Sequence, residues 1–447
     1  MLLLASSMCF ARKRSGNTHC RKCLPVSEMI ISRTWGNRRF DFFDQLARWA
    51  TVVLLFAAPT SRALFNVTSV VILLSWLLAG RHVQRWITVR GNPVFWPCVT
   101  VVSIMLIGVT YTVAPLADVL EHARVYSKFL FVLLLVSLLD QTVWRRRAWG
   151  AFALAMLITV GTTYLNIWWD PPWSATHNQG WGVDHSVFVD YIIQGVVSTF
   201  FMVLAMERAR ASKHLAARVI WLVVTAMTLV SVIFLVQGRT GQIAILAVFM
   251  VYSHQITPTR WRWPVIAVGL LMLVALMAAS PLLQERVLTA WAEIQRFRAD
   301  DYQSSVGIRL KLWEFAWEMV RQKPFWGHGT GSYHILASRV FADCTLTCFH
   351  PHNQFLFFWL ENGLPGLLAY LSLFLALLTT ASKVKPSHRI VFLGFVAVLL
   401  VESIFNAPFW YRMESYIFYS LLALLMAEVP RLRVGESVSP KAAPGHP

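Results

Sequence analysis

Long runs of apolar residues limit how this chain can fold more than any other feature of its sequence. Runs of about 17–25 such residues recur, and an α-helix of that length crosses the hydrocarbon core of a bilayer. Backbone groups in lipid must be paired within one helix or a closed barrel, and these runs are too long and continuous for barrel strands. The sequence therefore predicts an all-α polytopic membrane protein with about 12 transmembrane helices. The predicted spans lie near residues 43–60, 62–79, 94–113, 125–140, 147–167, 186–207, 216–236, 240–255, 264–282, 353–380, 389–406 and 412–429.

The composition agrees with lipid as the main solvent. Of 447 residues, 57% are hydrophobic and only 14% are charged, whereas soluble domains carry about 25% charged residues. The chain has too few charges to cover a water-facing surface. Its formal net charge is +18, but the basic residues form short clusters between the apolar runs. That distribution is typical of membrane topology and does not favour nucleic-acid binding.

Basic residues are distributed unevenly between the loops. Every second loop carries a cluster of them, whereas the alternate short loops carry at most one each. Because positively charged loops stay in the cytoplasm, we expect both termini to be cytoplasmic and the long stretch 283–351 to face outward. The clusters are Arg81/Arg85/Arg90, Arg145/Arg146/Arg147, Arg208/Arg210/Lys213/Arg218, Arg260/Arg262 and Lys383/Lys385/Arg389.

This alternation divides the chain into five segments. Within the large outer segment, apolar residues at helical spacing predict helices over 284–298 and 306–322, and Pro324 ends the second. We expect these helices to form a small domain over the outer mouth of the bundle. The segments are a basic cytoplasmic tail, expected to be disordered, at 1–42, transmembrane helices one to nine at 43–282, the outer helical domain at 283–351, transmembrane helices ten to twelve at 352–429, and a second cytoplasmic tail at 430–447.

The cysteine and acidic residues do not predict a metal site. His19-Cys20-x-x-Cys23 supplies half of a zinc pattern, and no second half follows. Cys344 and Cys348 lie in the outer segment, where a disulfide and two free thiols remain equal alternatives. Asp300-Asp301 is typical of a solvated helix end. The sequence also leaves open whether Met1 or Met29 is the true start.

Three features on the predicted outer side carry candidate chemistry. Arg239 lies in a Gly-rich break between two spans, Arg309 lies on the second outer helix, and His352 lies at the start of the tenth span. Taken singly, each position favours an ordinary role: Arg239 contacts lipid headgroups, Arg309 lies on a solvated helix face, and His352 caps a helix. Taken together, two guanidinium forks suit a phosphate, and an imidazole can accept a proton at neutral pH. The glycines around Arg239 would let a substrate approach the backbone.

Other polar residues define the alternatives. Asp170 and Asp184, in the loop between the fifth and sixth spans, are candidates for orienting a substrate that accepts a transferred group. Asp190, Lys128 and Glu402 are the candidate charges within the membrane, and all lie near span ends. Transporters and lipid flippases place such groups at the bilayer midplane, so the pattern favours chemistry at the membrane surface over translocation.

The outer motifs together resemble the O-antigen ligase and polymerase superfamily over roughly residues 220–370. The most specific part is His352-Asn353-x9-Gly363-x-x-Gly366, which is similar to the ligase pattern of histidine, a small amide or serine, nine residues, and Gly-x-x-Gly. Arg239 lies where the family has an arginine at a span break. Arg309 lies where the family has an arginine on an outer-loop helix. The chain length and the number of predicted spans suit the ligase branch.

The resemblance implies a GT-C-like glycosyltransferase of the bacterial inner membrane with a periplasmic active site. It implies transfer of O-antigen polysaccharide from undecaprenyl diphosphate to lipid A–core oligosaccharide, with inversion at the anomeric carbon and with no metal or other cofactor. Arg239 and Arg309 would bind the diphosphate, and His352 would be the general base. The implied partners are the lipid-linked donor, the lipid A–core acceptor and membrane lipids.

Two other activities of the same superfamily remain as alternatives. One is an O-antigen polymerase that joins carrier-linked repeat units, and the other is a protein O-oligosaccharyltransferase. A membrane transporter or flippase is the alternative from another class. The identity of the glycan and the oligomeric state are not predicted.

Overall fold

The structure is a computed structural model that describes residues 38–298, 304–341 and 349–429. Residues 1–37 of the first predicted tail, the second tail, Asp300-Asp301, and the Cys344–Cys348 pair lie outside the described residues, whereas residues 38–42, predicted as part of the first tail, are helical. The described part is helical and contains no strand. Its helices are α1 (Arg38–Ala57), α2 (Arg62–Leu78), α3 (His82–Arg90), α4 (Phe95–Val109), α5 (Leu116–Tyr126), α6 (Lys128–Leu138), α7 (Thr142–Leu165), α8 (Tyr191–Ala211), α9 (Leu215–Val230), α10 (Arg239–Ile256), α11 (Arg262–Ala278), α12 (Pro281–Arg298), α13 (Ser305–Gln322), α14 (Ser332–Ala337), α15 (Gln354–Ala381), α16 (Pro386–Phe405) and α17 (Arg412–Ala427).

Six helices in the described part are long and apolar enough to cross a membrane. The all-α, multi-pass prediction is confirmed, but the count of about 12 spans is not. The six are Thr142–Leu165, Tyr191–Ala211, Leu215–Leu235, Thr259–Ala278, Gln354–Ala381 and Pro386–Phe405. A seventh span is possible if α2 and α3, which meet at a 113° bend, count as one.

Two of the predicted spans do not form long apolar helices, and the reasons can be identified. Helix α1 contains Asp44 and Arg48, which pair with each other at 2.8 Å, so its first half is not an apolar segment. The predicted span at 125–140 is divided, because α5 ends at Tyr126 and α6 has only 11 residues. At 1.5 Å per residue, such a helix covers about half of the hydrocarbon core.

The two helices predicted in the outer segment are present as α12 and α13. Ser304 caps α13 by accepting a hydrogen bond from the Gly307 N–H at 3.0 Å, as short hydroxyl side chains do at helix starts. Helix α13 packs onto α15 through a separate apolar cluster that includes Leu312, Phe315 and Phe357. This packing fixes the outer helix against the start of a membrane span.

A glycine-rich turn after α13 completes that attachment. The backbone N–H groups of His328 and Gly329 donate to the carbonyls of Leu360 and Glu361 at 2.9 and 2.7 Å. Gly329 has a φ of 94°, and at the receiving kink in α15 Gly363 has a φ of 63°. Both values lie in the left-handed region that favours glycine. The turn therefore joins the outer segment to the kink of α15 by backbone contacts, and Thr330 Oγ1 adds a bond to Asn362 Oδ1 at 3.1 Å.

Replacing Gly363 by alanine is expected to destabilise the protein. The new Cβ would meet the Phe325 carbonyl, and a non-glycine residue at positive φ costs about 1–3 kcal/mol. Gly150→Ala is the matched control, since that glycine lies within helix α7 and has open space around it. We expect thermal unfolding in detergent to occur at lower temperature for Gly363→Ala and at equal or higher temperature for Gly150→Ala. Equal unfolding temperatures for both variants would contradict the role given to the kink.

Candidate functional site

Arg239 is the first residue of α10 and follows a break in the helical backbone. The π-helical turn Ser231–Leu235 ends α9, and the Gln237 N–H donates to Asp184 Oδ1 at 3.2 Å. A Cβ on Gly238 would lie 2.6 Å from the Tyr191 carbonyl oxygen, and one on Gly241 would lie 2.7 Å from Gly195. These glycines therefore permit close packing of α10 on α8. The expected role in substrate approach is not needed to explain them.

Arg309 lies on α13, and its side chain is half-buried rather than on a solvated face. Its Nε is buried and has no hydrogen-bond partner in the described part of the chain. Burial and the nearby positive charge of Arg239 lower the pKa of Arg309, although a guanidinium stays charged in proteins. The two arginines that the sequence singled out thus lie within electrostatic range of each other. Such a pair favours the binding of an anion.

His352 has the only positive φ, 48°, among the described residues other than glycine. Backbone in this region is strained and persists where neighbouring contacts hold it. Here the His352 carbonyl accepts from Trp313 Nε1 at 3.3 Å, and its N–H donates to His350 Nδ1 at 3.2 Å. The capping role belongs to Asn353, whose Oδ1 accepts from the Leu356 N–H at 3.0 Å. The imidazole of His352 is therefore not a helix cap.

The electrostatics of His352 follow from its surroundings. Burial and the charge of Arg309 lower its pKa to about 4, while a hydrogen bond with the Asn406 side chain acts in the opposite direction. The neighbouring His350 has a pKa well below 6.5, because it is buried and faces both His352 and Arg309. Both rings are therefore neutral at pH 7. His352 Nδ1 is buried and has no hydrogen-bond partner among the residues described.

The three residues predicted for the site are brought together at one end of the bundle. Arg309 interacts electrostatically with both Arg239 and His352. Trp313, one turn after Arg309 on α13, bonds to the backbone of His352. Helix α13 therefore sets the position of the Arg309 guanidinium relative to Arg239, at the start of α10, and to His352, which precedes the cap of α15.

Two aspartates considered as acceptor contacts have other partners. Asp170 pairs with His177 at 2.6 Å, and both side chains are exposed. Asp184 accepts from the backbone of Gln237 and from Ser186 Oγ at 2.8 Å. Asp184 therefore holds the break before Arg239 in place, which is a structural role.

The sequence reasoning missed a set of polar groups behind His352. Glu402, Asn406 and Glu414 are buried next to the site, at the end of α16 and the start of α17. Glu402 was noted only as a charge near a span end. These residues lie on other helices than His352, so no spacing pattern in the sequence links them to it.

The described residues contain no group of three or more histidine, cysteine, aspartate or glutamate side chains that could hold a metal ion. The polar groups of the site are instead guanidinium, imidazole, amide and carboxyl groups. Two guanidinium groups thus lie near a neutral imidazole on a multi-pass helical membrane protein.

A family model described as O-antigen ligase matches residues 222–371. The match confirms the resemblance to the O-antigen ligase superfamily that the motifs predicted, and the matched segment contains Arg239, Arg309 and His352. The superfamily comprises membrane glycosyltransferase-like enzymes that use lipid-linked glycans. The match covers about a third of the chain.

An uncharacterized protein of Haemophilus influenzae strain Rd is 26% identical to this chain over 119 residues. The aligned part is 26% of this chain and 30% of the relative. The chain thus spans less than a third of the length of the curated relative that it matches.

The proximity of Arg309 to His352 can be tested by titrating the histidine. Replacing Arg309 with glutamine removes a positive charge that opposes protonation, so the pKa of His352 should rise from about 4 towards its ordinary value. Arg321→Gln is the control, because Arg321 is an exposed arginine in the last turn of the same helix. NMR of ¹³C-histidine-labelled protein in nanodiscs measures the pKa of His352 in both variants. The His352→Asn variant assigns the signal. An unchanged pKa in Arg309→Gln would mean that the two groups are not neighbours.

Proposed function

We propose that the protein is an O-antigen ligase. In this proposal it transfers a polysaccharide from undecaprenyl diphosphate to a sugar hydroxyl of lipid A–core oligosaccharide. The observation that supports it is the proximity of Arg309 to both Arg239 and His352, with Trp313 of the same helix bonded to the His352 carbonyl. Two fixed cations beside a neutral imidazole match a reaction that releases a diphosphate and accepts one proton.

Arg239 and Arg309 bind the diphosphate of the donor. In the transfer, the acceptor oxygen bonds to the anomeric carbon while the bond from that carbon to the diphosphate oxygen breaks. The electron pair leaves with the diphosphate, and the two guanidinium groups stabilise the negative charge that develops there. Removing one such donor typically raises a barrier by about 2.7–4 kcal/mol. Attack opposite the leaving group inverts the anomeric configuration.

His352 takes the proton of the acceptor hydroxyl. Its pKa of about 4, lowered by burial and by Arg309, would make it a weak base. A bound diphosphate offsets the charge of Arg309, so the pKa of His352 rises when the donor is present. General-base catalysis of this kind contributes about 10²–10⁴-fold. In this mechanism His352 becomes an effective base only after the donor has bound.

Reconstitution with purified carrier-linked glycan and lipid A–core tests the activity. We expect wild-type protein to form glycan-linked lipid A–core, and His352→Ala, Arg239→Ala and Arg309→Ala each to lose at least 100-fold in rate. Arg321→Ala, on the same outer helix as Arg309, should retain the wild-type rate. Normal transfer by His352→Ala would remove the base assignment.

The nature of the acceptor distinguishes the alternatives within the superfamily. If the wild-type protein extends carrier-linked repeats and leaves lipid A–core unmodified, the protein is a polymerase. If it modifies only a protein acceptor, it is an O-oligosaccharyltransferase. Deletion in cells gives an independent answer. Loss of a ligase leaves full-length polymer on its carrier, whereas loss of a polymerase leaves single repeats on the core.

We further propose that the site faces the periplasm and that both termini are cytoplasmic. The alternation of basic loops supports this orientation. Trp326, which is 68% exposed and lies in the turn after α13, provides a test position. A cysteine introduced at Trp326 should react with a membrane-impermeant maleimide in intact spheroplasts, whereas one at Arg146 should react only after lysis. The opposite pattern would place the site in the cytoplasm.

A further inference from the structure

A cavity of about 640 Å³ lies between helices α7, α8, α9, α16 and α17, and no residue of the proposed reaction lines it. Helix α16, Pro386–Phe405, is about 30 Å long, which is the thickness of the hydrocarbon core. Its last residue, Phe405, packs near Trp313, with ring centroids 6.2 Å apart, whereas His388 in its first turn lines the cavity. Because Trp313 bonds to His352, the cavity lies at the end of the bundle opposite to the site.

Two arginines mark one end of this cavity. Arg146 lies near the start of α7, Arg208 lies in the last turn of α8, and both line the cavity. Gln194, near the start of α8, donates to Thr163 Oγ1, near the end of α7, at 3.0 Å, so the two helices are antiparallel. The arginines therefore lie at the same end of the bundle, where His388 also lies. This end collects residues from three of the basic loops that the sequence places in the cytoplasm.

Beyond the arginines the wall of the cavity is apolar. The lining on α7 continues from Arg146 to Leu157, and Phe201 and Trp221 contribute from α8 and α9. At 1.5 Å per residue, Arg146 and Leu157 are about 16 Å apart along the helix, which is close to half of the hydrocarbon core. Leu154, within this wall, is 52% exposed. The cavity therefore has the depth of one leaflet, with an apolar wall below a charged end.

The charged end has an excess of positive charge. Both carboxylates in the lining are already paired with other arginines: Glu207 with Arg210 at 2.7 Å, and Glu428 with Arg145 at 3.2 Å. Arg146 and Arg208 form no ion pair and no side-chain hydrogen bond with the residues that the structure describes. Two guanidinium groups thus remain at the mouth of an apolar cavity.

We propose that this cavity binds an anionic phospholipid of the cytoplasmic leaflet. Its phosphate lies at Arg146 and Arg208, and one acyl chain lies along the apolar wall of α7. Guanidinium groups suit phosphate oxygens, and basic pockets between transmembrane helices on the cytoplasmic side recognise anionic headgroups. A zwitterionic lipid gains less, because both lining carboxylates are paired and none is free for an ammonium group. The leaflet follows from the proposed orientation, whereas the chemistry of the ligand does not depend on the proposed reaction.

The charge requirement is tested with delipidated full-length protein in detergent. A ligand that binds only the folded state raises its thermal unfolding temperature. We expect phosphatidylglycerol to raise it, and phosphatidylcholine or inorganic phosphate to leave it unchanged. Arg146→Gln/Arg208→Gln should bind phosphatidylglycerol about 25-fold more weakly, at about fivefold for each arginine. Arg90→Gln, at an exposed arginine in the last turn of α3, should keep the wild-type Kd.

The shape requirement is tested without changing any charge. Gly150 lines the cavity and has open space where a Cβ would lie. A tryptophan there would occupy the path of the acyl chain, so Gly150→Trp should bind phosphatidylglycerol at least tenfold more weakly. Gly161→Trp is the matched control, since Gly161 lies on the same helix, also has open space and does not line the cavity. In the absence of lipid, both variants should unfold at the wild-type temperature.

Several results would overturn the proposal. Equal shifts with phosphatidylglycerol and phosphatidylcholine, or a wild-type Kd in the double arginine variant, would remove the anionic headgroup. A wild-type Kd in Gly150→Trp would reduce the effect to attraction at the surface, and an equal shift with inorganic phosphate would indicate a site for free phosphate. A change of oligomeric state in Gly150→Trp with unchanged lipid binding would assign the cavity to a second copy of the chain. Because none of these measurements uses glycan transfer, they leave the proposed function to its own test.

Discussion

Two guanidinium groups held near each other in a half-buried site repel, and the rest of this structure must hold Arg239 and Arg309 against that repulsion. Two unit charges about 8 Å apart repel by roughly 2 kcal/mol at an effective dielectric constant of about 20. Full burial of one large apolar side chain contributes about 1.5–3 kcal/mol. Leu312 and Phe315 on α13 are both buried in the cluster on α15. Apolar packing of the outer helix is therefore sufficient to keep the cations in place without a counter-ion at every position.

Backbone features help to set the positions of the two arginines. Arg239 follows a break whose glycines permit contact with α8, and its position is set by the Asp184 bond to Gln237. Arg309 is fixed through the turn at Gly329 and the kink at Gly363, which bond backbone to backbone. The buried Nε of Arg309 has no hydrogen-bond partner among the described residues, so Arg309 keeps a donor for the ligand of the proposed reaction.

Much of the site could be predicted from sequence, because its residues lie in local patterns. His352 and Asn353 precede a span by a fixed number of residues, and the glycines at 363 and 366 mark the kink that follows. Local patterns do not report contacts between helices, so the Glu402–Asn406–Glu414 cluster was not found. These three residues also lie outside the matched family segment, 222–371. The count of about 12 spans was not confirmed for a related reason: an apolar run does not show where its helix ends, and the run at 125–140 is divided after Tyr126.

The low pKa of His352, buried beside Arg309, has a consequence for the order of the proposed reaction. A base with a pKa of about 4 removes protons poorly from a sugar hydroxyl, so an acceptor that arrives first is not activated. A bound diphosphate changes this, because its negative charge offsets that of Arg309 and allows the imidazolium to form. The same reasoning applies to water, which is activated no better than the acceptor while the donor is absent. Once the donor is bound, the electrostatics around His352 favour proton removal from water as much as from the acceptor. The site must therefore exclude water through its contacts with the acceptor. Selectivity for the acceptor over water therefore depends on shape and on polar contacts outside the three motif residues.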